Sequence, residues 1–266
     1  MSRHKKVTGV CKICKASGKL SFEHVPPAAA FNNGNYFYTA ELGKILEKGD
    51  SNFEILTLKD KSYTKKKQGG VGFYTLCTQC NNDTGSWYGS FFVDWIYQSM
   101  GILLKSKGKP TLYYPTFFFP LRVFKQIITM FMSIANDAFL VEYSVLEKYL
   151  KQKEQTDFPD NIKIYCYYNI EGTNRYIGNI LLGDLNTNTQ TQLLELSFPP
   201  IGLVMTIDSP CPDSRLTDIT HFSKYNYNDW IDHFQKFETL PTHLPFSPAD
   251  YRSKTEIEAT IKENSR

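Results

Sequence analysis

The chain has 266 residues, 41% hydrophobic and 21% charged, with a net charge of +3. That length holds one large domain or two ordinary ones, and that composition excludes wholesale disorder. The basic opening stretch lacks the apolar run of a secretory signal. The most apolar region, Thr116 to Ala135, is broken by Pro120, Arg122, Lys125 and Gln126, so it suits a buried helix better than a membrane span. A cytoplasmic protein with no membrane association is expected. The charge is uneven: residues 1–80 hold 13 Lys/Arg against 6 Asp/Glu, and the remainder 17 against 21. A basic front end on a mildly acidic body points the front end at a polyanion.

In chain order, the first segment opens on Cys11 and Cys14. A short strand follows through Leu20-Ser21-Phe22-Glu23-His24-Val25, with Leu20, Phe22 and His24 alternating onto one face until Pro26-Pro27 ends it. The Asn32-Asn33-Gly34-Asn35 stretch reads as a turn, though it also carries groups suited to base or phosphate contacts. A short helix from Ala40 to Lys48 and a strand from Phe53 to Leu58 lead into a lysine run. That run, with Lys59, Lys61, Lys65, Lys66 and Lys67 around Tyr63, suits either a phosphate backbone or a solvated hairpin tip. Past Gly69-Gly70, the strand Phe73 to Leu76 delivers Cys77 and Cys80. A helix starting near Cys80 should falter at Gly85 and resume from Trp87 to Leu103. Its Tyr88, Phe91, Phe92, Trp95, Ile96 and Met100 form the apolar stripe of a packed helix.

The Gly/Lys/Pro stretch from Lys105 to Pro110 marks the expected boundary between residues 1–105 and an accessory domain over 106–246. Helices are expected over Leu121 to Ala138 and Glu142 to Lys153. Strands follow at Ile162–Ile170, Arg175–Leu182, Gln190–Phe198 and Leu203–Ile207. This predicts an antiparallel sheet with helices on one side, an α+β domain. Ser247-Pro248 then caps a polar helix to about Lys262, within a tail over 247–266. The accessory domain shows no catalytic signature. Its Asp208, Asp213, Asp218 and His221 around Cys211 fit loop capping better than metal binding, and Asp229, Asp232 and His233 fit an exposed helix face. That domain could bind a partner, sense a ligand or join two chains as a homodimer.

Two C-x-x-C pairs outside any βαβ context favour a tetrahedral metal site over redox chemistry, so Cys11, Cys14, Cys77 and Cys80 are expected to hold structural Zn2+. Isolated Cys166 and Cys211 read as structural. The pairing would bring the strand end carrying Glu23-His24 to the helix start carrying Asn81-Asn82. A neutral imidazole can take a proton from water, and a carboxylate and an amide oxygen can hold Mg2+ or Mn2+.

The segments C-K-I-C, F-E-H-V-P-P and Y-T-L-C-T-Q-C-N-N-D-T-G resemble the zinc-containing branch of the HNH endonucleases, with its ββα-metal fold, over residues 10–90. The resemblance implies His24 as general base, Glu23 as the metal-associated acid, and Asn81, or Asn82 after one residue of slip, as the last motif position beside the cation. It implies hydrolysis of DNA phosphodiesters, with DNA held partly by the lysine run, and such proteins with an added domain often act as microbial toxins or anti-phage effectors. One departure stands out: the stretch Gly70 to Thr75, where the family's middle asparagine lies a few residues before the second cysteine pair, holds no asparagine, so the role of orienting His24 passes to a backbone carbonyl, Gln68 or Thr75, or is lost. The competing expectation is a degenerate zinc module that binds nucleic acid or protein without cutting.

Overall fold

The computed structural model describes residues 7–34, 36–40, 64–184 and 189–264. The expected strand from Phe53 to Leu58 lies outside these residues, as do Asn35, Lys59, Lys61, Tyr63 and the expected helix beyond Ala40; Ala40 itself ends a strand.

Strands β1 (Thr8–Val10), β2 (Ser17–His24) and β5 (Gly72–Cys77) form a three-stranded antiparallel sheet in the order β1-β2-β5. A separate antiparallel hairpin is built from β3 (Tyr36–Ala40) and β4 (Thr64–Gln68). Helix α1 (Thr78–Thr84) leaves β5 directly and runs through a π turn at Gly85–Gly89 into α2 (Ser90–Leu104). The helix therefore falters at Gly85 by widening and does not break. Tyr88, Phe92, Trp95 and Ile96 are fully buried, as their 3.6-residue spacing requires.

Strand β6 (Thr111–Phe118) precedes α3 (Pro120–Ile134), which has Pro120 in its first turn. Short helices α4 (Asp137–Glu142) and α5 (Val145–Lys151) follow; Asn136 caps α4 by accepting from the Phe139 N–H. Then come β7 (Ile162–Gly172), β8 (Arg175–Asp184), β9 (Thr189–Phe198), β10 (Ile201–Ile207), the short β11 (Thr217–Asp218) and β12 (Ile231–Thr242). Their sheet has the order β6-β12-β7-β10-β9-β8, with β11 also on β7.

The four expected strands are present, but the sheet is mixed, because β12 runs parallel to β7 while the other paired neighbours are antiparallel. Strands β6 and β12 were not anticipated. Pro115 and the charged residues of β12 mask them, and β6 tolerates its proline because it lies at the sheet edge. Asp232 and His233 accordingly sit on a strand and not on a helix. The last helix, α6 (Lys254–Asn264), begins later than Ser247-Pro248 suggested. Ser253 and Glu256 form a reciprocal capping box, the Ser253 N–H donating to Glu256 Oε2 at 2.6 Å and the Glu256 N–H to Ser253 Oγ at 3.3 Å.

Residues on both sides of 105–110 share one buried cluster, running from Cys11 and Leu20 through Trp95 and Phe124 to Leu203 and Phe237. Its centre is α3, in which every residue except Arg122 and Ile134 is buried. This helix is the packing partner of both β5 and the π turn on one side and of β8 and β9 on the other. No described helix is long and apolar enough to cross a membrane.

Candidate functional site

The Cys11–Cys14 turn closes through backbone bonds from Lys15 N to Cys11 O and from Cys11 N to Ala16 O. Cys77 ends β5 and caps α1, its Sγ accepting from the Cys80 N–H at 3.4 Å. The four sulfurs lie within 4.8 Å of one another, and Cys14 and Cys77 are 3.7 Å apart. Tetrahedral zinc with Zn–S near 2.3 Å has sulfur–sulfur edges of about 3.8 Å, so the thiols could close on such an ion with shifts of about 1 Å or less. Burial opposes ionisation of Cys11, but surrounding backbone amides bring its thiol down to about 7; burial and the neighbouring Cys11 push Cys80 up. Between the first two cysteines, Lys12 reaches across and donates to Ser133 O at 2.9 Å in the last turn of α3 and to Ala135 O at 2.7 Å just beyond it. The sulfur cluster thereby holds α3 as well as β2 and β5.

Strand β2 pairs with β5 through a bulge: Ser21 faces Leu76 and Phe22 faces Tyr74, leaving Thr75 unpaired in the ladder. Leu20 is in the core, while Phe22 is 39% exposed, so these two do not share a buried face as alternation suggested. Phe22 lies edge-on to His24, ring centroids 4.9 Å apart. His24 Nε2 stands 3.0 Å from the carbonyl oxygen of Gly69. A carbonyl only accepts, so the ring donates through Nε2, and neutral His24 keeps Nδ1 free to take a proton. Of the orienting groups left open by the sequence, the backbone carbonyl is the one in contact with His24.

That carbonyl belongs to a turn fastened by Asn32. Its Nδ2 donates to Pro26 O at 2.6 Å and Val71 O at 2.7 Å, and its Oδ1 accepts from the Val71 N–H at 2.8 Å. The turn can be this tight only with glycine: Gly70 has φ +84°, and a Cβ there would meet Asn32 O at 2.0 Å. Asn32 is thus a clamp for the turn and not an outward contact group.

Asn81, on α1, donates from Nδ2 to Ser21 Oγ at 3.1 Å and to Phe22 O at 3.2 Å, so it is pinned to β2. His24, Glu23 and Asn81 line one cavity of about 380 Å³, together with Thr84, Gly85 and Gly89 around the π turn and Gln126 of α3. Asn82 is exposed and does not line it. Glu23 is buried, and only its Oε2 is engaged, accepting from Ser133 Oγ at 2.6 Å and Thr75 Oγ1 at 3.2 Å. Burial pushes its carboxyl up to about 7, against the pull of those hydroxyls and of Lys12. The bulge explains the second contact, since Thr75 is the residue released from the ladder. Gln126, 4% exposed, has an Oε1 with no hydrogen-bond partner. Sequence reasoning missed it: a glutamine inside an apolar helix carries no motif, and its only signal was polarity, shared with Lys125, between Phe124 and Ile127.

The remaining candidates sort by geometry. Lys65, Lys66 and Lys67 lie on exposed β4, with Lys66 Nζ 3.5 Å from the centroid of the Tyr36 ring, and β4 leads straight into the turn that holds His24. Asp213, Asp218 and Asp229 accept backbone N–H groups of Arg215, Thr220 and Asn226, as turn residues do. Cys166 is a core residue and Cys211 is exposed, and neither joins a metal-ligating group among the described residues. No family model matches the chain, and no curated protein or solved structure matches it significantly.

Proposed function

We propose that this chain is a metal-dependent endonuclease of the zinc-containing HNH type, with β2, β5 and α1 serving as its ββα unit. The observation that carries the reading is the shared cavity: His24, with Nε2 committed to the Gly69 carbonyl, opens onto the same space as Glu23 and Asn81. In this reading His24 Nδ1 takes a proton from the attacking water. Glu23 and Asn81 supply oxygens to Mg2+ or Mn2+. A cation bound there offsets charge on the scissile phosphate and the leaving oxygen. Zinc on Cys11, Cys14, Cys77 and Cys80 fixes the frame, and DNA lies along exposed Lys65, Lys66 and Lys67, whose contacts release counterions.

One observation favours a second reading, a zinc module that binds nucleic acid without cutting. Glu23 Oε2 is already held by two hydroxyls, and its carboxyl is raised toward neutrality, which suits an internal structural group. Plasmid nicking with Mg2+ or Mn2+ separates the two. The parent should nick, and His24→Ala should lose roughly 100-fold or more of the rate. Equal nicking by both removes His24 from the mechanism, and a parent that binds plasmid without nicking it supports the second reading.

A further inference from the structure

The cavity has a wall that the motif does not supply. Helix α3 lies beyond residues 10–90, yet it contributes Gln126 beside His24, Glu23 and Asn81. Four of its polar residues are buried, and three of them are satisfied within the protein: Lys125 donates to Tyr149 O and Gln152 O, Thr129 donates to Lys125 O, and Ser133 donates to Glu23. Gln126 is the exception, its Oε1 buried and without a donor. Leaving such an acceptor unpaired is destabilising, and a leucine of similar size would avoid the cost. That oxygen lies beside the π turn, where a Cβ on Gly89 would be 3.6 Å from it, in ordinary van der Waals contact. The π turn widens the helix at the same place, with Thr84, Gly85, Gly89 and Ser90 all on the lining.

Gln126 lines a cavity that also holds a carboxylate and a second amide, and side-chain oxygens of these kinds are the donor set of a hard divalent cation. We propose that Gln126 completes the cation site, its Oε1 acting as a ligand supplied by the helix that joins the two halves of the molecule. This rests on the nuclease reading above and adds to it. It makes the cation site dependent on α3, and so on the Lys12 contacts that tie α3 to the cysteine turn.

Mn2+ binding to the zinc-loaded full chain, followed by electron paramagnetic resonance and calorimetry, tests it without recourse to cleavage. The parent should bind about one Mn2+. Gln126→Leu should weaken that binding roughly tenfold or more, and Gln126→Glu, which adds a charge at the same point, should tighten it. Zinc content and the unfolding midpoint of each variant report that the frame is intact. Parent-like Mn2+ affinity in Gln126→Leu, or no gain in Gln126→Glu, overturns the proposal. If Asn81→Ala weakens binding while both Gln126 variants behave as the parent, the nuclease site stands and only the role of Gln126 falls. A parent that binds no Mn2+ at millimolar concentration sinks both.

Discussion

Strand β10 buries all seven of its residues, whereas β2 buries only Leu20 and Glu23 of its eight. The centre of the large sheet is hydrophobic, and one charged pair is internal to it. Arg175 and Glu195 are both fully buried, 3.1 Å apart, and Glu195 also accepts from Tyr167 and from the Ala249 N–H. The cysteine-bearing end has little such burial. It is held by four converging sulfurs, by the Asn32 clamp, and by Lys12 and Glu23 reaching α3. The difference teaches how each region is held: the cysteine-bearing end relies on a few directed contacts and the large sheet on burial, and each carries a polar-lined cavity, one around His24 and one around His221.

Metal removal should break this comparison open with the largest effect. Structural zinc contributes roughly 10 kcal/mol or more of apparent binding free energy in small domains. Stripping the ion from the full chain, or Cys77→Ser, should therefore raise hydrogen exchange sharply in β1, β2 and β5 while β7, β9 and β10 stay protected. Exchange rising equally in both regions would mean that they unfold as one unit and that the division drawn here is false.

The reciprocal experiment acts on the sheet. Arg175→Met leaves Glu195 buried without its counter-charge and should cost about 3–5 kcal/mol of stability, read as a lower denaturant midpoint. The double variant Arg175→Met with Glu195→Leu should recover only the part due to the uncompensated charge, because the Tyr167 hydroxyl, the Ala249 N–H and the Leu244 carbonyl then lose their partners. Zinc content should not change in either protein. A loss of zinc on altering Arg175 would show that the two ends are coupled more tightly than their contacts imply.

The same contrast explains what was legible in the sequence. Strands β7 to β10 were visible because alternation and the turn signals at Glu171-Gly172-Thr173 and Pro199-Pro200 are local, although Gly183-Asp184, expected to end a strand, still pairs within β8. The cysteine pairs, His24 and Asn81 were visible because their chemistry is rare and their spacing short. Strand β12 was not, since its pairing with β6 and β7 is set by residues more than sixty positions away. The Thr75 bulge, the Gly69 carbonyl on His24 and the orphaned Gln126 oxygen were hidden for the same reason: each is a relation between distant segments. The turn at Asn32 was seen, but its purpose depends on Val71, thirty-nine residues later.

That clamp gives the smallest and most local prediction. Asn32→Ala deprives the Val71 N–H and the Pro26 carbonyl of their partner, which should cost about 1–3 kcal/mol and leave zinc content untouched. Its more telling consequence concerns His24. If Asn32 holds the turn and the turn holds the ring, loosening it should release Nε2 from the Gly69 carbonyl, and the ring-nitrogen resonances of His24 should shift toward a mixture of tautomers. Asn32→Asp should not restore the parent spectrum, because a carboxylate can accept from Val71 N–H but cannot donate to either carbonyl. A His24 tautomer unchanged in both variants would show that the two glycines shape the turn unaided, and that the histidine is oriented by backbone geometry alone.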